Sequence, residues 1–140
     1  MSFVYFNPNP IGKRTSDCVI RALSKFFNVS WMEAYINICV YGAEHYDMPN
    51  VNSVWSSYLE SKGYVRHKVK DTCPYCYTLN DFCYDHPIGK YFVSLDVGYA
   101  DMYSTADSGF IDGNHVVCVI DGDYYDTWKS GNEVVIFYWS

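Results

Sequence analysis

The sequence is short of positive charge, contains no glutamine, and has no apolar stretch of membrane-spanning length. Lysine and arginine together number 10 against 16 aspartates and glutamates, which leaves a net charge of -6. Binding a nucleic-acid backbone takes clustered cations that displace condensed counterions. The one pair of adjacent cations is Lys13-Arg14, too short to form a basic arm, so no nucleic-acid partner is expected. Nowhere do about 18 apolar residues run together, which excludes a transmembrane helix, and no membrane association is expected. Phe3 to Phe6 runs directly into Asn7-Pro8-Asn9-Pro10 instead of into the apolar core of a secretory leader, so the expected location is the cytoplasm. Repeats and low-complexity tracts are also missing.

What is present is a good supply of core-forming residues. In 140 residues, 49% are hydrophobic, 19% aromatic and 19% charged. That profile is far from that of a disordered chain, and the length suits one domain spanning residues 1–140. The six cysteines, in a cytoplasmic setting, are expected as reduced thiols, a metal site or a nucleophile, not as a disulfide frame.

The first half reads as helical. Thr15, Ser16 and Asp17 offer N-cap oxygens, and Val19, Ala22, Leu23, Phe26 and Phe27 follow at helical spacing, giving a helix from about Asp17. Ser30 with Glu33 forms a capping-box pattern for a second helix ending near Gly42. A third runs from about Asn52, with Gly63 placed as its C-terminal cap. The period then changes. Tyr64 to Val69 reads as a strand, Thr78 to Asp85 as a short helix and Tyr91 to Leu95 as a strand. His115 to Asp121, a Gly122-Asp123 turn, Tyr124 to Trp128 and Val134 to Trp139 predict an antiparallel meander. Val97 to Asn114, rich in Gly, Asp, Ser and Tyr, predicts a long surface loop leading into His115. The fold class expected is α+β, an N-terminal helical half packed on a C-terminal antiparallel sheet.

Three residues stand where thiol chemistry needs them. A nucleophilic cysteine works as the thiolate, which the first turn of a helix stabilises through unpaired N–H groups and the positive end of its dipole; Cys18 falls in that turn. Asp17 beside it opposes thiolate formation unless its carboxylate is occupied in capping the helix. A thiol also needs a base, and the base an orienting acceptor. His115 opens a strand after a Gly-Asn turn, and Asp126 lies 11 residues on in the next strand, toward the same end of the hairpin. Taken singly, each has a plainer explanation: a packing thiol, a strand-start histidine, a surface carboxylate. Their joint order favours a catalytic set.

The segments Ser16-Asp17-Cys18-Val19-Ile20-Arg21-Ala22-Leu23, Gly113-Asn114-His115-Val116-Val117-Cys118-Val119-Ile120-Asp121-Gly122 and Tyr125-Asp126-Thr127-Trp128 resemble the papain-like cysteine peptidase superfamily. The closest likeness is to small papain-like proteins of bacteria and their phages, and it spans nearly the whole chain. The resemblance implies a papain-like fold, acyl transfer at Cys18 with His115 as base and Asp126 as orienter, a peptide or protein substrate, and no cofactor for catalysis. That superfamily often carries a Gln before the cysteine as an oxyanion donor, and this chain has none. The Cys18 N–H is the natural first donor. For the second, the Asn9 amide or a group in Gly12 to Arg14 is the candidate, the plainer alternative for Asn9 being an Asn-Pro turn.

A second constellation, Cys73, Cys76, Cys83 and His86, has the spacing Cys-x2-Cys-x6-Cys-x2-His and offers four ligands of the kinds tetrahedral zinc takes; a structural zinc site and reduced packing thiols are the alternatives. Cys39, mid-helix, and Cys118, mid-strand, are expected in the core. His45 and His67 read as surface or capping groups. The 15 tyrosines, among them Tyr99, Tyr103, Tyr124 and Tyr125, fit core and half-buried sheet positions. Oligomeric state is left open.

Overall fold

The computed structural model describes residues 2–97 and 114–140. The elements run β1 (Phe3–Tyr5), α1 (Cys18–Phe27), α2 (Trp31–Glu44), α3 (Asn52–Ser61), β2 (Arg66–Lys68), α4 (Leu79–Asp85), β3 (Lys90–Asp96), β4 (His115–Ile120), β5 (Asp123–Asp126) and β6 (Val134–Trp139). The fold is α+β, with helices packed on a six-stranded sheet of order β1-β5-β4-β3-β6-β2. Every strand pair is antiparallel except β1 with β5, which is parallel. Most of the long Gly-, Asp- and Tyr-rich segment before His115, with Tyr99 and Tyr103, lies outside the described residues.

The central strands are covered on both faces, which is why they read as continuous apolar runs and not as alternation. Phe92, Val116, Cys118 and Trp139 pack against Leu23 and Phe26 of α1, Ile38 of α2 and Trp55 of α3. Val93, Leu95, Val117, Val119 and Val135 face the other way, against Leu79, Phe82 and Cys83 of α4. The three N-terminal helices therefore form one layer and α4 part of another. Both layers are positioned by their caps. Ser30 accepts from the Glu33 N–H at 3.1 Å at the head of α2. Thr78 and Asp81 form a reciprocal box at the head of α4, which satisfies otherwise orphaned N–H donors.

Several expectations are corrected. The C-terminal strands do not form a meander: β4 and β5 make a hairpin, but β6 pairs with β3 and β2. The segment after β5 crosses the sheet, since the second edge of β5 is already taken by β1. The hairpin turn falls one residue earlier than expected, at Asp121-Gly122, with φ of 49° and 81°. Those two positive values define the turn whose twist suits a two-residue hairpin, and Asp-Gly is among its preferred pairs. Residues 3–5, read only as the approach to an Asn-Pro segment, form the parallel edge strand β1. The strand expected over 64–69 is confined to 66–68. Helix α2 passes through Gly42 to Glu44. Cys39 is half-buried, on the partly exposed side of α2, and not in the core. Cys118 is fully buried, as expected.

Candidate active site

The site is assembled where the head of α1 meets the ends of β4 and β5. Cys18 is the first residue of α1 and half-buried. Asp17, in the capping position, makes no side-chain cap. Its carboxylate is taken instead by Arg21 Nη1 at 2.7 Å and Trp31 Nε1 at 2.9 Å. The expected capping role of Asp17 is thereby corrected: an arginine one turn on, at the spacing that brings side chains together, outcompetes the backbone for it.

His115 begins β4, and Asp126 ends β5. The Nε2 of His115 bonds Asp126 Oδ2 at 2.8 Å, and because the carboxylate accepts, that nitrogen carries the proton. Nδ1 is left free of that bond, and Cys18 and His115 lie close enough in the same cleft for each to favour the charged form of the other. The Trp128 ring packs beside the imidazole, centroids 5.3 Å apart.

Asp126 is completely buried and would be costly there without partners. It has four donors: His115 Nε2 and Ser130 Oγ (2.7 Å) on Oδ2, and Arg21 Nη2 (2.8 Å) and the Thr127 N–H (2.7 Å) on Oδ1. Its backbone is fixed by β1, where Tyr5 pairs with it and the Phe6 N–H donates to its carbonyl at 2.9 Å.

The electrostatics follow from this packing. Burial alone would push the Cys18 thiol up, but the hydrogen bond and charge of His115, the Val116 backbone and the charge of Arg21 together hold it below its ordinary value. Burial would likewise depress His115, yet the bonds to Asp126 and Cys18 raise it to about 9. For Asp126, the burial penalty is outweighed by His115, Ser130 and Arg21, which keep the carboxyl below its usual range. Thiolate, imidazolium and carboxylate therefore favour one another. By contrast, burial pushes Cys83 and Cys118 up to about 12.

A cleft of about 910 Å3 opens over Cys18 and His115, walled by Arg14, Thr15, Ser16, Asn52, Asn114 and Trp128 among others. Such an arrangement can generate a thiolate, bring a carbonyl carbon to it and pass protons through one imidazole. Asn114, just before His115, holds the Val97 N–H at 2.7 Å and the Val97 carbonyl at 3.1 Å, anchoring the strand end from which the histidine projects.

The structure brings Cys18, His115 and Asp126 together. It does not bring Asn9 to them: the Asn9 Oδ1 accepts from the Ile11 and Lys13 N–H groups at 3.1 and 3.2 Å, closing its own turn, and Asn9 does not line the cleft. Of the segment weighed beside it, Arg14 does line the cleft, with Nη2 on the Thr127 carbonyl at 3.2 Å. The four zinc candidates also stay apart. Cys73 and Cys76 are exposed, while Cys83 is buried under the sheet. His86 directs Nδ1 to the Phe82 carbonyl at 2.9 Å and stacks on the Phe82 ring. Among the described residues no three His, Cys, Asp or Glu side chains converge as a metal site. Sequence reasoning missed Arg21, Ser130, Trp31 and Trp128. Only Arg21 left a signal: a cation inside an apolar helical run, four residues after an acid.

Comparison with protein-family models, with curated proteins and with solved structures finds no match in any of the three.

Proposed function

We propose that this chain is a papain-like cysteine hydrolase acting on peptide or isopeptide bonds. The observation that carries the reading is one relationship: Cys18, at the head of α1, shares a cleft with His115, which holds its thiol toward the ionised form, and the Nε2 of that imidazole rests on the buried carboxylate of Asp126. A helix-borne thiol against a sheet-borne imidazole and acid matches the order implied by the papain-like resemblance. In the reaction, the Cys18 thiolate adds to the substrate carbonyl. The His115 imidazolium then gives its proton to the departing amine, leaving a thioester on Cys18. Water, losing a proton to the neutral imidazole, attacks the thioester, and the acid product leaves as the thiol is regenerated. Asp126 holds the tautomer and balances the imidazolium charge. The Cys18 N–H is the first oxyanion donor, and Arg14 is the side chain from the preceding segment best placed to serve as the second.

No cofactor enters this cycle. The six cysteines are all free thiols, which suits a reducing, cytoplasmic setting, and among the described residues no helix is long and apolar enough to cross a membrane. The test is a mass-spectrometric comparison of a proteome incubated with wild type and with Cys18→Ala. New peptide termini, or loss of isopeptide branches, in the wild-type sample alone is the expected result; identical samples would end the reading. Adding a primary amine separates hydrolysis from transfer: amine-capped products mark a transglutaminase-like acyltransferase. A second reading, a binding module on the same fold that leaves the triad unused, draws on the exposed apolar strip of α2, where Met32, Ile36 and Val40 are each 51% exposed. A biological effect fully retained by Cys18→Ala would select it.

A further inference from the structure

Behind the imidazole lies a second buried ion pair that the hydrolytic cycle does not use. Arg21 is only 4% exposed and Asp17 equally so, and both belong to the turn that carries Cys18. One guanidinium nitrogen of Arg21 bonds Asp17 at 2.7 Å, and the other bonds Asp126 at 2.8 Å. Asp17 is in turn held by Trp31 Nε1 from the head of α2. A buried ionic bridge of this kind seldom adds stability over apolar packing, because desolvation offsets the attraction. Its position next to the nucleophile points to a role in the site.

We propose that Arg21 is a positioning residue of the catalytic set, and that with Asp17 it extends the triad into five alternating charges: Asp17, Arg21, Asp126, His115, Cys18. The inference rests on the hydrolase reading above, in that it takes Cys18 as the nucleophile. Two physical consequences follow. First, the helix that carries the thiol is bolted directly to the carboxylate that orients the base, so the sulfur and the imidazole cannot drift apart without breaking a buried bond. Second, the Arg21 charge lies on the thiolate side of the site and favours the ionised sulfur, while Asp17 tempers it. Only arginine serves here, because a planar fork can present two donors to two carboxylates at once and a lysine ammonium is a single point of charge.

The charged groups that face Cys18 are His115 from β4 and Arg21 from its own helix, with Arg14 on the cleft wall and Asp17 adjacent in the chain. The start of α3 contributes Asn50, Val51 and Asn52, which carry no charge. The sign of each substitution is therefore fixed. Arg21→Gln removes a cation and moves the acid limb of Cys18 reactivity to higher pH. Asp17→Asn removes an anion while keeping the shape, and moves the limb to lower pH. Arg21→Lys keeps the charge and restores the limb without restoring the bridge.

The experiment is the rate of Cys18 alkylation by iodoacetamide, resolved by mass spectrometry across pH 4 to 10 in the intact protein, with circular dichroism to check each fold. Shifts of about half a pH unit or more, upward for Arg21→Gln and downward for Asp17→Asn, with Arg21→Lys near wild type, are expected. A purely structural bridge would lower the melting temperature of both variants and leave the limb in place, which would overturn the proposal, as would an upward shift in Asp17→Asn. If Arg21→Gln fails to fold, the isosteric Asp17→Asn decides alone. Alkylation needs no substrate, so a protein that cleaves nothing but shows these opposed shifts would sink the hydrolase reading and leave this one standing.

Discussion

His115 and Asp126 meet at 2.8 Å although neither is the other's direct partner across the β4–β5 hairpin. The observed register pairs Cys118 with Tyr125; continued by one step, it sets position 117 opposite 126. His115 is thus a diagonal neighbour of Asp126, a relation whose separation of roughly 7 Å two polar side chains can span. The carboxylate that results is buried, four times bonded, and shared by an imidazole and a guanidinium. Asp126→Asn should therefore lower turnover about 10^3- to 10^4-fold, since an amide can neither fix the tautomer nor balance the imidazolium. Removing this partner also leaves Arg21 with Asp17 alone, a change that costs roughly 3–5 kcal/mol when a buried pair is broken. Steady-state kinetics together with urea denaturation would show both losses; an active Asp126→Asn enzyme would remove the acid from the mechanism.

The six thiols should separate sharply in reactivity. Cys18 is held below its ordinary value, while burial raises Cys83 and Cys118 to about 12. A gap of at least three pH units means a thiolate fraction about 10^3-fold or more greater at Cys18 at neutral pH. In a site-resolved alkylation at pH 7, Cys18 should be modified while Cys83 and Cys118 stay intact, and His115→Gln should suppress the Cys18 rate selectively. Cys73 and Cys76 are exposed and provide the accessible comparison. Labelling of Cys118 at a rate comparable with Cys18 would contradict the burial of the one and the activation of the other.

The helices were legible locally, through the Ser30 and Glu33 capping pattern and through apolar residues at helical spacing. The Cys18, His115 and Asp126 set was legible for a related reason: each residue sits at the end of an element, where a side chain can leave the core. Strand order was not. Whether β6 lies beside β5 or across the sheet beside β3 is decided by which strand takes the second edge of β5, and no local pattern in Val134 to Trp139 records that β1 holds it. The three residues of β1 are likewise too few to show a period. Arg21 was hidden by its surroundings: within Val19-Ile20-Arg21-Ala22-Leu23 it reads as a surface cation, and the second of its two carboxylate partners lies 105 residues away. The cysteine spacing at 73, 76 and 83 misled for the opposite reason, because spacing says nothing of direction, and α4 turns Cys83 into the core.

Gly42 illustrates how a residue expected to stop a helix can instead be needed inside one. A Cβ at this position would lie 2.9 Å from the Asp47 carbonyl and 3.3 Å from Pro49 Cα, both backbone atoms of the loop that folds back on α2. The Asp47 N–H also bonds the Gly42 carbonyl at 2.9 Å, so the loop cannot retreat freely. An alanine in an open helix would gain about 1 kcal/mol over glycine; here the overlap should reverse the sign, destabilising Gly42→Ala by about 1–3 kcal/mol. Because Asn50 to Asn52, on the cleft wall, follow this loop, the variant should also raise KM more than it lowers kcat. Urea denaturation supplies the first check. A more stable Gly42→Ala would mean that the loop is not held against the helix.

The pH dependence of the reaction follows from the two ends of the thiol–imidazole pair. Activity requires the sulfur ionised and the imidazole protonated. It should rise with pH as Cys18 loses its proton, earlier than an ordinary thiol would, and fall as His115 loses its own at about 9. These limbs belong to the coupled pair rather than to either residue. His115 is raised by the bond and charge of Asp126, so Asp126→Asn should bring the basic limb down toward 6.5, the ordinary histidine value, narrowing the active window from its alkaline side. Asp126 and Arg21, whose charges help set the limbs, are buried and screened much less than surface charges, so raising the salt from 0.1 to 1 M should move the limbs little. A basic limb that slides toward neutrality in high salt would mean that His115 and Asp126 are open to solvent and that their pairing does not govern the chemistry.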